Sequence, residues 1–199
     1  NRFKDSFFTD TNNTLATIYI VRDPRNVITS VKNHYNYSNY YETKKFLLNE
    51  RQIITLSEIQ EKKFTEKDYP LPQIVGSWQT HYNSWKNMKK NFLLIKYENL
   101  VIYPDIEFRK ITNFLQKILK IKFSEEQIQK AINSSSFDKL QAMEEIHGFT
   151  EGIENNKTGE KNKFFYLGPK NDWTKILDKK IADEISSRFE PEMKELGYL

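Results

Sequence analysis

Thr17-Ile18-Tyr19-Ile20-Val21-Arg22-Asp23-Pro24-Arg25-Asn26-Val27-Ile28-Thr29-Ser30 reads as strand, tight turn and helix with almost no loop between them. Residues 17–21 are β-branched or aromatic and are bounded by polar residues, as in a buried strand of a parallel sheet. Asp23 suits an N-cap, and Pro24 suits the first helical position, where a missing N–H costs nothing. Val27, Ile28 and Val31 then recur at helical spacing. In open parallel sheets, ligands bind beyond the carboxyl ends of the strands. Arg22 stands at that end, beside the free N–H groups and positive dipole end of a new helix. Such a place seats a phosphate or sulfate, and Arg25 adds charge nearby. The same residues also allow a plainer arrangement, in which Arg22 pairs with Asp23 or another carboxylate and only secures the turn.

Outward from this stretch, residues 1–16 are polar and irregular. Residues 42–54 read as a helix, and 55–73 as a charged loop or broken helix ending in Pro70 and Pro72. A long helix is predicted from Ile74, with Ile74, Trp78, Tyr82 (or His81), Trp85 and Met88 on one face. Phe92-Leu93-Leu94-Ile95-Lys96-Tyr97 is a second strand. Pro104 opens a helix carrying Ile106, Ile111, Phe114, Leu115 and Ile118. Ser124, followed by Glu125, Glu126 and Gln127, caps the next, and Ser134–Ser136 cap another. Gly148, Gly152 and Gly159 among charged residues suggest a surface loop over 144–172. A final helix is predicted over 178–196, where Ile181, Ile185, Phe189 and Met193 recur every four residues, and Gly197 stops it. Strands separated by helices predict an α/β fold with a parallel sheet. Two strands make a poor sheet, so others are expected, including upstream of Asn1.

Composition narrows the chemistry. The 199 residues suffice for one domain of ordinary size. With no Cys, thiol nucleophiles, disulfides and cysteine-based metal sites are excluded, and three scattered His argue against a His-rich metal centre. The net charge is +4, and the basic excess lies in residues 1–100, with 15 basic and 10 acidic residues. That mild excess fits a small anionic ligand. The pI near 9.0 and abundant Tyr and Phe keep a nucleic-acid binder as a rival, although the charges are evenly scattered. No apolar run approaches the roughly 18 residues of a membrane span. A cytoplasmic protein with no membrane partner is expected. A nucleotide kinase of P-loop type would need G-x-x-x-x-G-K-[ST], which the sequence lacks.

The run from Ile18 to Ser30 resembles the strand–turn–helix of sulfotransferases that contacts the 3′-phosphate of 3′-phosphoadenosine 5′-phosphosulfate (PAPS). In that family an Arg at the strand end and a Ser eight residues later bind the phosphate, positions that Arg22 and Ser30 match. Gly76-Ser77-Trp78 followed by Trp85 resembles the family's long helix. Lys96-Tyr97-Glu98-Asn99-Leu100 resembles its Tyr-Glu-Asp strand end, whose Tyr approaches the adenine. Ser135-Ser136-Phe137 resembles its Thr-Ser-Phe segment, whose Phe stacks on the adenine. Gly168 with Asp172-Trp173 resembles the C-terminal Arg-Lys-Gly-x-x-Gly-Asp-Trp-Lys motif, and Met193–Leu199 resembles the end of bacterial members. Taken singly, Tyr97, Phe137, Trp78 and Trp85 read equally as core residues, and Asp172 and Trp173 as loop anchors; the shared order supports the resemblance.

The resemblance implies a three-layer fold like that of P-loop NTPases, with a central parallel sheet flanked by helices, as one sulfotransferase-like domain over residues 1–199. It implies in-line transfer of a sulfuryl group from PAPS to a hydroxyl or amine of a small-molecule or glycan acceptor, without a metal and without nucleic acid. It places Arg22, Ser30, Tyr97, Phe137 and Gly168 around the nucleotide. The family's loop Arg is replaced here, since Tyr166-Leu167-Gly168 stands for Arg-Lys-Gly, with Asn171 and Thr174 at the later Gly and Lys; Lys170 is the expected replacement charge. The family's phosphosulfate loop and basic His have no counterpart before Arg22, so an N-terminally incomplete domain with poor turnover is expected, and His34, His81 and His147 are not assigned as base. Acceptor contacts are expected from 36–73 and 144–165. The sequence does not fix the acceptor or the oligomeric state, and it leaves open a degenerate, inactive member of the family.

Overall fold

A computed structural model describes residues 12–54, 73–88, 90–154 and 159–199, and the backbone of Arg2–Phe3 and Ser6–Phe7. In chain order the elements are β1 (Arg2–Phe3), β2 (Ser6–Phe7), β3 (Thr17–Val21), α1 (Pro24–His34), α2 (Tyr40–Leu48), β4 (Ile53–Ile54) and β5 (Gln73–Ile74). They continue with α3 (Trp78–Lys86), β6 (Phe92–Lys96), α4 (Tyr97–Ile102), α5 (Pro104–Leu119), α6 (Glu125–Ser134) and α7 (Phe137–His147). A 3₁₀ turn (Gly168–Lys170), α8 (Trp173–Ile176), α9 (Lys179–Arg188) and α10 (Glu190–Glu195) complete the chain. The chain forms two compact units.

The first unit comprises Asn1–Asp23, Tyr82–Gly148 and Phe165–Asn171. Here β3 and β6 pair in parallel, with Thr17 opposite Phe92 and Val21 opposite Lys96. The two predicted strands are therefore present and parallel. β3 alternates buried and exposed residues, unlike the two-sided burial expected of it. Tyr19 packs its ring near Tyr82 and Phe92, with centroids 6.0 and 6.4 Å away. Burial raises its phenol pKa above the ordinary value, with a smaller contribution from Tyr82. The second strand ends one residue sooner than expected, and Tyr97 opens α4. α5 starts on Pro104 as predicted and ends on Lys120 in the left-handed region (φ 57°). α6 carries a complete capping box: Ser124 Oγ accepts from the Gln127 N–H, while the Gln127 side chain accepts from the Ser124 N–H.

The second unit comprises Pro24–His81, Phe149–Phe164 and Asp172–Leu199. Its core gathers Ile28, Leu47, Ile181, Ile185, Phe189 and Met193. The four-residue stripe predicted near the C-terminus is buried as expected, but its helix is broken. α9 ends at Arg188 and α10 begins at Glu190, because Pro191 cannot donate into a continuous ladder. The helix predicted over 42–54 is α2 instead, opened by Asn39, whose side chain accepts from the Glu42 N–H. Ile53–Ile54 leaves it to pair antiparallel with Gln73–Ile74. The helix expected from Ile74 begins at Trp78, after Gly76 turns the chain at φ 67°. A Cβ there would lie 3.3 Å from the Glu50 carbonyl oxygen and 3.0 Å from Thr80, so glycine is required by conformation and by space. Apart from Gln73, the loop expected over 55–73 lies outside the described residues. The loop expected over 144–172 is shorter: α7 runs to His147, and Glu154 bridges to Lys161.

Candidate functional site

The parallel register builds the first part of the site. Val21 lies opposite Lys96, so the next residues, Arg22 and Tyr97, leave the two strand ends side by side. The Arg22 guanidinium lies over the Tyr97 ring, its carbon 4.2 Å from the ring centroid, a cation–π distance. Arg22 Nη2 also points to the Gly168 carbonyl oxygen at 3.4 Å, a long and weak hydrogen bond. One residue on, the Asp23 N–H donates to Glu98 Oε1 at 3.0 Å. A carboxylate from the start of α4 thereby satisfies an amide of the turn after β3. In the sequence Glu98 is visible only as part of Lys96–Leu100, with no sign of this partner.

The loop at Gly168 is fixed from α7. Gly168 has φ 50°, and a Cβ there would lie 2.2–2.4 Å from three ring carbons of Phe137. The loop backbone therefore lies directly against that ring, and only glycine permits the approach. Phe137 opens α7 and meets Phe165 edge-on at 6.3 Å. One and two turns further along the helix, Gln141 Nε2 donates to the Phe165 carbonyl at 2.8 Å and Glu144 Oε2 accepts from the Phe165 N–H at 2.9 Å. Phe137, Gln141 and Glu144 share one helix face by their i, i+4, i+7 spacing, a signal present in the sequence but unused. Lys170 is exposed. The amides of Lys170 and Asn171 donate to the carbonyls of Leu167 and Gly168 within the turn. The first unit thus brings together Arg22, Tyr97, Phe137 and Gly168, four of the residues chosen from sequence.

In the second unit, Ser30 is exposed on α1, following buried Ile28 and Thr29. Arg25, expected to add charge near an anion, is only 7% exposed. Its guanidinium lies over the Trp173 ring at 4.0 Å and donates to the Tyr198 carbonyl at 2.8 Å and to Ser186 Oγ at 3.4 Å. It holds the C-terminal segment. The Trp173 N–H also donates to Asn26 Oδ1 at 3.0 Å. Asp172 caps α8, and its carboxyl lies below the usual range, first through the Thr174 hydroxyl and then through Lys175. The Asp172-Trp173 pair therefore anchors the chain to the first turn of α1, matching the plainer of its two sequence readings.

His34 closes α1 between the rings of Tyr35 and Phe164 (4.6 and 5.9 Å). Burial lowers its pKa below the ordinary value, and Glu151 partly opposes the shift. Burial also lowers that of His81. His147 is exposed at the end of α7. A histidine of lowered pKa takes up its proton at lower pH in the native state than in the unfolded chain. Its contribution to stability is complete above the unfolded value near 6.5 and is lost as pH falls below it. The double variant His34→Gln/His81→Gln is expected to flatten the fall in urea midpoint as pH drops below about 6.5. An unchanged slope would show that neither ring titrates with folding. Among the described residues no group of three or more His, Asp or Glu could hold a metal, and no helix is long and apolar enough to cross a membrane.

Residues 5–197 match the family pattern described as the sulfotransferase domain. A guinea pig protein named 3-beta-hydroxysteroid sulfotransferase is 30% identical over 198 residues, which is 98% of this chain and 60% of that protein. Human sulfotransferase 2A1 is 25% identical over 190 residues, 91% of this chain and again 60% of the relative. The chain thus spans about 60% of the length of these relatives. Mouse sulfotransferase SULT7A1, solved in complex with PAP, superposes with a TM-score of 0.60 at 22% identity, covering 89% of this chain and 58% of that one. A retinol dehydratase solved with retinol and PAP gives 0.57 at 18% identity, covering 90% and 48%. These superpositions bear out the predicted α/β sulfotransferase fold, and the match over residues 5–197 establishes that the chain belongs to the sulfotransferase domain family.

Proposed function

We propose that the chain binds the 3′-phosphoadenosine part of PAPS and belongs to an enzyme that transfers the sulfuryl group to a small-molecule acceptor. The observation that carries this reading is the grouping of Arg22, Tyr97, Phe137 and Gly168 at the carboxyl ends of a parallel strand pair. Two named structural neighbours hold PAP, the product that sulfuryl transfer leaves behind. Arg22 supplies a cation for the 3′-phosphate, and Phe137 an aromatic face for adenine. Lys170 is exposed and gives the Gly168 loop the charge that Tyr166-Leu167 cannot.

In the transfer, the bond between sulfur and the bridging oxygen of the 5′-phosphate breaks. A new bond forms from sulfur to the acceptor oxygen or nitrogen, the acceptor proton passes to a base, and PAP departs. The reaction requires alignment of two reactants and stabilisation of charge on the leaving phosphate. The residues above serve the first need by holding the donor. The names of the guinea pig protein and the retinol complex favour an apolar alcohol as acceptor.

The test is calorimetric titration with PAP, 5′-AMP and ATP. PAP is expected to bind tightest. Arg22→Ala is expected to weaken PAP by about 1.5–3 kcal/mol, roughly tenfold to hundredfold in Kd, the range for a hydrogen bond to a charged group. AMP binding should hardly change. Equal loss for PAP and AMP, or tighter binding of ATP than PAP, would refute the assignment.

A further inference from the structure

Within the nucleotide site proposed above, we infer that Tyr97 positions Arg22, and that the ring face of Tyr97 thereby sets the preference for nucleotides bearing a 3′-phosphate. The inference rests on that site reading and adds a role that the resemblance does not give, since the resemblance directs this tyrosine to the adenine. Here one face of the ring is covered by the Arg22 guanidinium, 4.2 Å from the centroid. A guanidinium held over a ring is restrained, and its N–H groups still lie in its own plane, where they can donate to an anion. Restraint of that kind favours donation to a phosphate.

Three features make the stack a built feature. The parallel register sets residue 22 beside residue 97. The Glu98 carboxylate holds the Asp23 N–H at 3.0 Å, tying the backbone on both sides of the pair. Arg22 Nη2 faces the carbonyl of Gly168, whose backbone rests on the Phe137 ring. A long arginine side chain has many rotamers to lose on gripping an anion. Restraining it beforehand lowers that cost for a 3′-phosphorylated ligand and does nothing for a ligand lacking this group.

The experiment measures PAP and 5′-AMP affinity in the wild type, Tyr97→Phe, Tyr97→Leu, Arg22→Ala and the Arg22→Ala/Tyr97→Leu double variant, with thermal melts to confirm folding. Tyr97→Leu is expected to weaken PAP about tenfold and AMP less than twofold. Tyr97→Phe, which keeps the ring face, should restore PAP affinity to within about threefold of the wild type. In the Arg22→Ala background, Tyr97→Leu should have no further effect on PAP. A second measurement needs no nucleotide: the Arg22 side-chain NMR signal should carry a ring-current shift in wild type and Tyr97→Phe that vanishes in Tyr97→Leu. Equal weakening of PAP and AMP by Tyr97→Leu, a Tyr97→Phe variant as weak as Tyr97→Leu, or loss that persists without Arg22 would overturn the inference. A wild type that does not distinguish PAP from AMP would overturn the nucleotide assignment as well. Failure of the inference alone is recognised by a wild type that discriminates and a Tyr97→Leu variant that discriminates equally.

Discussion

Phe189→Ala is expected to lower the stability of the protein by about 3–5 kcal/mol, the range for removing a large ring from a packed core. Phe189 is fully buried (0% exposed) among Ile28, Leu47, Ile181, Ile185 and Met193, with Trp78 at 5.2 Å between ring centroids. It also occupies the break between α9 and α10. A cavity there borders two helix ends, so collapse around it would pull on Pro191 and the caps as well as on side chains. Phe189→Leu leaves a smaller void and should lose no more than about half as much. Urea unfolding read by circular dichroism would check both: the midpoints should fall in that order at an unchanged slope. A loss below about 1 kcal/mol for Phe189→Ala would mean that this core closes over the void.

Arg25→Ala should be the next most damaging change, at about 2–4 kcal/mol. The side chain is only 7% exposed, so its stem packs as an apolar group. Its guanidinium combines a ring contact with Trp173 and a hydrogen bond to the Tyr198 carbonyl. A desolvated cation–π contact is worth about 2 kcal/mol, and a charged hydrogen bond roughly 1.5–3. The two share one group, so they do not add in full. Arg25→Lys keeps the charge but loses the flat fork, and should recover less than half of the loss. Arg25→Met separates the contributions, because it keeps most of the volume. If it proves as stable as the wild type, the guanidinium gives no net stability beyond its packing, as replacement of some buried charges has shown.

Arg25 and Arg22 show where a sequence stops being informative. They flank the same Asp-Pro dipeptide, and either could be assigned to an anion from sequence. Arg25 is drawn inward by Trp173 and Tyr198, partners about 150 and 173 residues away, a separation no local pattern encodes. Glu98 and Gln141 were equally hidden, because their partners, the Asp23 and Phe165 backbones, are ordinary amides with no mark in the sequence. The C-terminal helix is broken for a different reason. The four-residue apolar stripe predicts one continuous helix, yet a stripe survives a break at Pro191 when both pieces pack on one core.

The order of residues alone determined β3, the start of α1, the capping box at Ser124 and the start of α5 on Pro104, because a β-branched run, a cap and an N1 proline act on neighbours within a few residues. Only the tertiary structure decided that Val21 lies opposite Lys96 and that Arg22 therefore rests on Tyr97. It also decided that Gly168 must be glycine because Phe137 fills the space beside it. Register and close packing depend on which distant segments meet, and their energy is set by the shape of the contact, which a single segment does not contain.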